Sequence, residues 1–137
     1  MTPEQLAEIS ARAYRHMTPW TARAYAETLA RPHALLAATD HAFVLGLVIA
    51  DEAEILAVAS DPDHQRCGQA SAALAQFLGT AQKRGAAQVF LEVARSNIPA
   101  IAFYETKGFA HAGTRKGYYP QAEGPAVDAL VMTRTLG

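Results

Sequence analysis

Apolar positions recur at helical spacing from the start of the chain. Leu6, Ile9, Ala13 and then Met17 follow Thr2-Pro-Glu-Gln5, a capping box with proline at the first helical position. A helix is predicted over residues 3–16, interrupted by Pro19. Thr21 caps a second helix, Ala22 to Arg31, which Pro32 stops. From Ala34 the texture changes to three short apolar runs, 34–38, 42–50 and 54–59. The pairs Thr39-Asp40 and Asp51-Glu52 separate them, as in an antiparallel meander. After a loop from Ser60 to Gly68, a helix over about 69–84 carries the stripe Ala70, Ala73, Leu74, Phe77, Leu78, Ala81 and ends at Gly85. A strand at 89–93, a helix from Asn97 to Lys107 closed by Gly108, and strands at 109–115 and 127–134 complete the pattern. The order ααβββαβαββ, with no repeat, low-complexity segment or linker, is read as one α/β domain of the α+β type over residues 1–137.

Composition narrows the class. Half of the 137 residues are hydrophobic, which excludes disorder, although 30 of them are alanines that bury little area each. Twelve basic against thirteen acidic residues give a net charge of −1, without the basic excess of a nucleic-acid binder. The lone Cys67 excludes an internal disulfide framework and fits a reducing compartment. The longest apolar stretch, Ala42 to Ala50, is about half the ~20 residues that a membrane helix needs, and no basic segment followed by an apolar run opens the chain. A cytoplasmic protein with no membrane or direct nucleic-acid partner is expected.

Chemistry concentrates in three places. In Gln65-Arg-Cys-Gly68-Gln-Ala70 small residues precede a long helix, whose free N–H groups and positive dipole end suit a pyrophosphate. A glycine that only eases the turn accounts for the same pattern. In Val89-Phe-Leu-Glu-Val-Ala94, strand alternation puts Glu92 with Phe90 on the face opposite Val89, Leu91 and Val93. A carboxylate flanked by apolar residues is costly unless partnered or useful. Glu92 is therefore either a general base, or a residue on an exposed strand face or with a structural hydrogen bond. Asn97 and Tyr104 lie seven residues apart on one helical stripe. They either touch two parts of one extended ligand or serve as helix cap and core residue.

Taken together, these segments resemble the GNAT acetyltransferase superfamily, and more closely its ribosomal-protein-alanine N-acetyltransferase branch. The resemblance rests on Asp61-Pro-Asp-His-Gln-Arg-Cys-Gly-Gln-Ala70, Leu91-Glu-Val-Ala-Arg-Ser-Asn97, Ala100-Ile-Ala-Phe-Tyr-Glu-Thr-Lys-Gly-Phe109, and Gly117-Tyr-Tyr-Pro120 with Asp128-Ala129. Met17-Thr-Pro-Trp20-Thr21 is similar to that branch's segment between the first two helices. The likeness implies a mixed, mostly antiparallel sheet flanked by about four helices, without the family's usual first strand.

It also implies acetyl-CoA as donor and an amine as acceptor. By the resemblance, the backbone of Val58, Ala59 and Ser60 bonds the acetyl and pantetheine part, and the loop Arg66, Cys67, Gly68, Gln69, Ala70, Ser71 cradles the pyrophosphate. Asn97 contacts coenzyme A, Glu92 accepts the proton, and Tyr104 donates one to the departing thiolate. Trp20, Tyr118 and Tyr119 fall to the acceptor, with Tyr118-Tyr119-Pro120 placed in the connection before the last strand. No metal is required, and the five histidines show no ligand spacing. The leading expectation is acetylation of a protein N-terminal α-amine, such as that of a ribosomal protein, by a monomer or weak homodimer. A small amine or a lysine side chain is the alternative acceptor. A non-catalytic acyl-CoA-binding module needs neither Glu92 nor Tyr104.

Overall fold

The computed structural model describes residues 1–14, 19–64, 68–119 and 124–136, and within them the elements follow the predicted order. They are α1 (Pro3–Ala13), α2 (Ala22–Leu29), β1 (Ala34–Ala38), β2 (Ala42–Ile49), β3 (Glu52–Ser60), α3 (Gln69–Lys83), β4 (Gln88–Ala94), α4 (Ile98–Thr106), β5 (Ala110–Tyr119) and β6 (Val127–Thr135). A single 3-10 turn, Pro62–His64, lies between β3 and α3.

Both amino-terminal caps form as their sequences require. Thr2 and Gln5 close the capping box, and the Thr21 side chain accepts from Ala24 N–H. The helices are shorter than periodicity alone suggested. α1 ends at Ala13, because Tyr14 turns to extended backbone at φ −78°, ψ 129°. The expected turn to residue 16, and Met17 with it, falls outside the described residues. α2 stops at Leu29, since Pro32 disfavours helical geometry at the residue before it.

The six strands form one sheet in the order β1-β2-β3-β4-β6-β5. Every neighbouring pair is antiparallel except β3 with β4, which α3 joins as a crossover. β2 is buried on both faces. On one face Leu6, Ile9 and Tyr25 of α1 and α2 pack on Phe43, Leu45, Ala57 and Ala59. On the other, Ala73, Leu74, Phe77, Leu78 and Ala81 of α3 meet Val44, Val48, Ala53, Ile55, Val89 and Leu91. Full burial of each large side chain in these layers contributes about 1.5–3 kcal/mol.

A bulge lets one strand serve both layers. Leu45 pairs with Ala57 but Gly46 with Ile55, so Leu56 is an extra residue in β3. Ala53 and Ile55 consequently face α3, whereas Ala57 and Ala59 face α1 and α2. Glycine is required opposite the bulge. A Cβ on residue 46 would lie 2.1 Å from the Glu54 carbonyl oxygen and 2.7 Å from the Phe77 ring.

β5 corrects the sequence reading. It runs to Tyr119, which pairs with Val127, so Tyr118 and Tyr119 belong to the strand and not to a connecting loop. Gly117 is absorbed in the strand as an irregularity at φ +62°, its N–H held by Asp128 Oδ1 at 2.9 Å.

Candidate active site

β3 and β4 pair in parallel only from Glu52↔Gln88 to Ile55↔Leu91. Beyond the bulge they separate, and the gap between them is a cleft of about 740 Å3. Its β3 wall offers backbone groups that the β2 ladder does not use. Asp61 N–H bonds His41 carbonyl at 2.7 Å, so in the antiparallel β2–β3 ladder residues 59 and 57 also face β2. The N–H and carbonyl groups of Val58 and Ser60 therefore point the other way, into the cleft.

The start of α3 forms another wall. Gly68 is its N-cap in the left-handed region at φ +74°, and no side chain caps the first turn. The N–H groups of Gln69, Ala70 and Ser71 are thus without intrahelical partners, at the positive end of a 15-residue helix. A Cβ on Gly68 would meet nothing within 4 Å. Gln69 Oε1 is buried and has no hydrogen-bond partner among the described residues. An open glycine cradle with unsatisfied donors fits a pyrophosphate. Arg66 and Cys67, expected in the same loop, lie outside the described residues.

Val58, Ala59, Ser60, Gly68, Gln69, Ala70, Ser71, Glu92, Asn97, Tyr104 and Tyr119 all line this one cleft. Asn97 and Tyr104 take the helix-cap and core roles, and both also line the cleft. Asn97 is the N-cap of α4, its Oδ1 accepting from Ala100 N–H at 3.3 Å, and it also faces the cleft. Tyr104 is 8% exposed, edge-on to Phe103 and Phe109, and lines the cleft as well. Burial, then the neighbouring Tyr119, pushes its phenol above the ordinary tyrosine range, so it keeps its proton. Tyr119 is pushed up too, by burial first and then by the Glu92 charge.

Glu92 lies on the face opposite Leu91 and Val93, as alternation required, with its side chain 18% exposed. Arg115 of β5 holds it at both oxygens, Nε to Oε1 at 3.2 Å and Nη1 to Oε2 at 3.5 Å. On the neighbouring strand Glu54 is pushed up by burial and then by Glu92, against the pull of Arg115 and Arg31.

Trp20 and Tyr118 are not among the residues lining the cleft. Trp20 packs on the Tyr25 ring, centroids 5.2 Å apart, and Tyr118 lies under the Arg115 guanidinium. Sequence reasoning missed Tyr14, which lines the cleft from the end of α1. Burial pushes its phenol up, partly offset by a backbone hydrogen bond from Val58. Only its place after an amphipathic helix and before the Pro19-Trp20 segment could have hinted at this. Spacing also hid a junction of His41, Asp61 and His64, whose ligand atoms lie within 4.8 Å of one another. The two imidazoles stack face to face at 3.5 Å, so their in-plane lone pairs run parallel and do not converge. Asp61 is taken by Arg12 at 2.9 Å, which ties α1 to the loop before α3.

The profile of the acetyltransferase (GNAT) family matches residues 4–109. The chain belongs to this family. Its GNAT relatives include the [ribosomal protein bS18]-alanine N-acetyltransferase of Escherichia coli K12, 37% identical over 121 residues, spanning 85% of this chain and 81% of the relative. The crystal structure of the Escherichia coli ribosomal-protein-S18-alanine N-acetyltransferase superposes with a TM-score of 0.86 at 34% identity, covering 98% of this chain and 88% of that one. Ard1 from Thermoplasma volcanium shares the fold, with a TM-score of 0.83 at 24% identity over 100% of this chain and 95% of that chain. The protein is an acyltransferase of the GNAT N-acetyltransferase kind, a family whose acyl donor is acetyl-CoA. No helix of the described residues is long and apolar enough to cross a membrane.

Proposed function

We propose that this N-acetyltransferase modifies the α-amine of a protein N-terminus, with Glu92 as proton acceptor and Tyr104 as proton donor. One observation carries the reading. Splayed strands bring the Val58 N–H, which neither β2 nor β4 uses, the Glu92 carboxylate and the buried Tyr104 phenol to a single cleft. An amine must be neutral to attack a thioester, so Glu92 takes its proton by way of water. The Val58 N–H stabilises the oxyanion that forms at the carbonyl. Tyr104 protonates the sulfur as the carbon–sulfur bond breaks. The backbone of Val58, Ala59 and Ser60 holds the acetyl and pantetheine part, the first-turn N–H groups of α3 hold the pyrophosphate, and Asn97 adds a contact to coenzyme A.

The acceptor class is supported by relatives named as ribosomal-protein-alanine N-acetyltransferases and by acid–base arithmetic. An α-amine of pKa about 7.7–8.0 is roughly a tenth neutral at pH 7, against well under ~0.1% for lysine near 10.4. A single carboxylate and water suffice more readily for the former. Tyr119, which lines the cleft with Glu92 and Tyr104, contacts the acceptor.

The test is thiol release from acetyl-CoA with N-terminal-alanine peptides, N-blocked lysine peptides and polyamines. Highest kcat/KM on the free N-terminal peptides is expected. Preference for lysine peptides or polyamines refutes the acceptor class, and absence of thiol release with all three refutes the reading. Glu92→Gln should lose about 10²–10⁴-fold at pH 7 and recover in part as pH rises and more amine is neutral. Wild-type turnover across pH 6–9 would make the carboxylate structural.

A further inference from the structure

We propose that Arg115 is a positioning residue for the transfer, steadied by Tyr118 and fixing the orientation in which Glu92 faces the cleft. This rests on Glu92 being the base. The two side chains are 23 residues apart and reach each other across β6. Glu92 pairs with Val131, Val131 is two residues from Ala129, and Ala129 pairs with Arg115, so all four side chains share one face. A guanidinium on both carboxylate oxygens fixes the plane of the group, not just its position. Each oxygen keeps a lone pair, one of which can receive the proton.

An exposed ion pair would be weak evidence, since such pairs contribute little. This one is asymmetric. The Glu92 side chain is 18% exposed and lines the cleft, whereas Arg115 is 55% exposed. A long exposed side chain holds one geometry only if something steadies it. Here the guanidinium carbon lies 5.0 Å from the centroid of the Tyr118 ring. That gives Tyr118 a task away from the cleft. Glu54 supplies a second need. It projects on the same face from the adjacent strand, where its register partner is Phe90, two residues before Glu92. Of the charges facing this pair, Arg115 and Arg31 oppose the mutual repulsion of the two carboxylates. Without Arg115, Glu54 and Glu92 repel and Glu92 loses its fixed plane.

The test is a double-mutant cycle at saturating acetyl-CoA, with an N-terminal-alanine peptide as acceptor and circular dichroism as the folding control. Arg115→Gln should lower kcat by about 10–10²-fold, the scale of a small misplacement of a reacting group, with the KM for acetyl-CoA within about twofold of wild type. Arg115→Lys keeps the charge but not the fork and should recover only part. Tyr118→Leu should fall in the same direction by less. Arg115→Gln combined with Glu92→Gln should be no slower than Glu92→Gln alone, because Arg115 acts through that carboxylate. Wild-type kcat in Arg115→Gln, losses that multiply in the double variant, or a raised acceptor KM at unchanged kcat would each overturn the positioning role. Wild-type turnover in Glu92→Gln would overturn the base assignment and the positioning role together. A slow Glu92→Gln beside a normal Arg115→Gln would overturn the latter alone.

Discussion

Gly46→Ala is the sharpest probe of how the cleft is built. The new Cβ would sit 2.1 Å from the Glu54 carbonyl oxygen and 2.7 and 2.9 Å from two carbons of the Phe77 ring. Neither neighbour can step aside cheaply. The carbonyl is backbone beside the Leu56 bulge, and Phe77 is fully buried on the inward face of α3. Overpacking of this kind costs about 1–3 kcal/mol, and displacing backbone puts this site at the upper end. Against a total of about 5–15 kcal/mol, a loss of about 3 kcal/mol lowers Tm by roughly 6–12 °C in a chain of this size. Gly79→Ala is the control, because a Cβ there meets nothing within 4 Å on an exposed position of α3. It should stabilise by about 0.5–1 kcal/mol. Phe77→Leu added to Gly46→Ala relieves the ring but not the carbonyl, so less than half the loss should return. Urea unfolding of the four proteins decides the matter. A Gly46→Ala protein within about 0.5 kcal/mol of wild type, the threshold of an ordinary surface change, would refute the close approach at the bulge.

Gly68→Ala should fold at a cost of about 1–2 kcal/mol for its left-handed backbone, since its Cβ meets open space, yet bind coenzyme A at least tenfold more weakly by calorimetry. Unchanged affinity removes the phosphate-cradle assignment. Tyr104→Phe keeps the ring and loses the proton, so kcat should drop while the KM for acetyl-CoA stays near wild type. Because burial lifts the phenol above its ordinary value near 10, no Tyr104-linked fall in wild-type rate should appear below about pH 10. Asp61 is held below the usual carboxylate range, first by the Asp63 backbone N–H and then by Arg12 against the cost of desolvation. The stability it contributes is present above about pH 4 and fades as pH falls further, so Asp61→Asn should flatten the acid side of a Tm–pH curve. Parallel acid limbs in the two proteins would count against that pairing.

Local pattern carried the element order because each element announces itself within a few residues. Thr2 and Thr21 cap, Pro32 limits, and the α3 stripe repeats every three or four positions. β1 matched the predicted 34–38 because polar pairs bound it on a short apolar run. The bulge at Leu56 left no such mark. Glu54-Ile-Leu-Ala-Val-Ala alternates too weakly to show where its facing reverses, and alanines at 57 and 59 suit either layer. The β5 end is hidden for a related reason. Gly117 looks like a turn residue in isolation, and only its pairing context, with Asp128 accepting its N–H, keeps it in the strand.

Glu92 shows where local reasoning has to stop. Its apolar neighbours already required either a partner or a purpose for the carboxylate, and the fold gives it Arg115 as partner and the cleft as setting. In sequence Arg115 ends a predicted strand, with nothing to connect it to a strand 23 residues earlier. That connection exists because β6 is inserted between β4 and β5, bringing positions 92 and 115 onto one face. The same topology accounts for the cleft. Parallel pairing of β3 and β4 stops where Leu56 disrupts the ladder, so the bulge that lets β3 pack on two layers also leaves the Val58 and Ser60 backbone groups unpaired with β4. Packing and chemistry therefore share one irregularity, and a substitution that regularises β3 should close the site before it unfolds the protein.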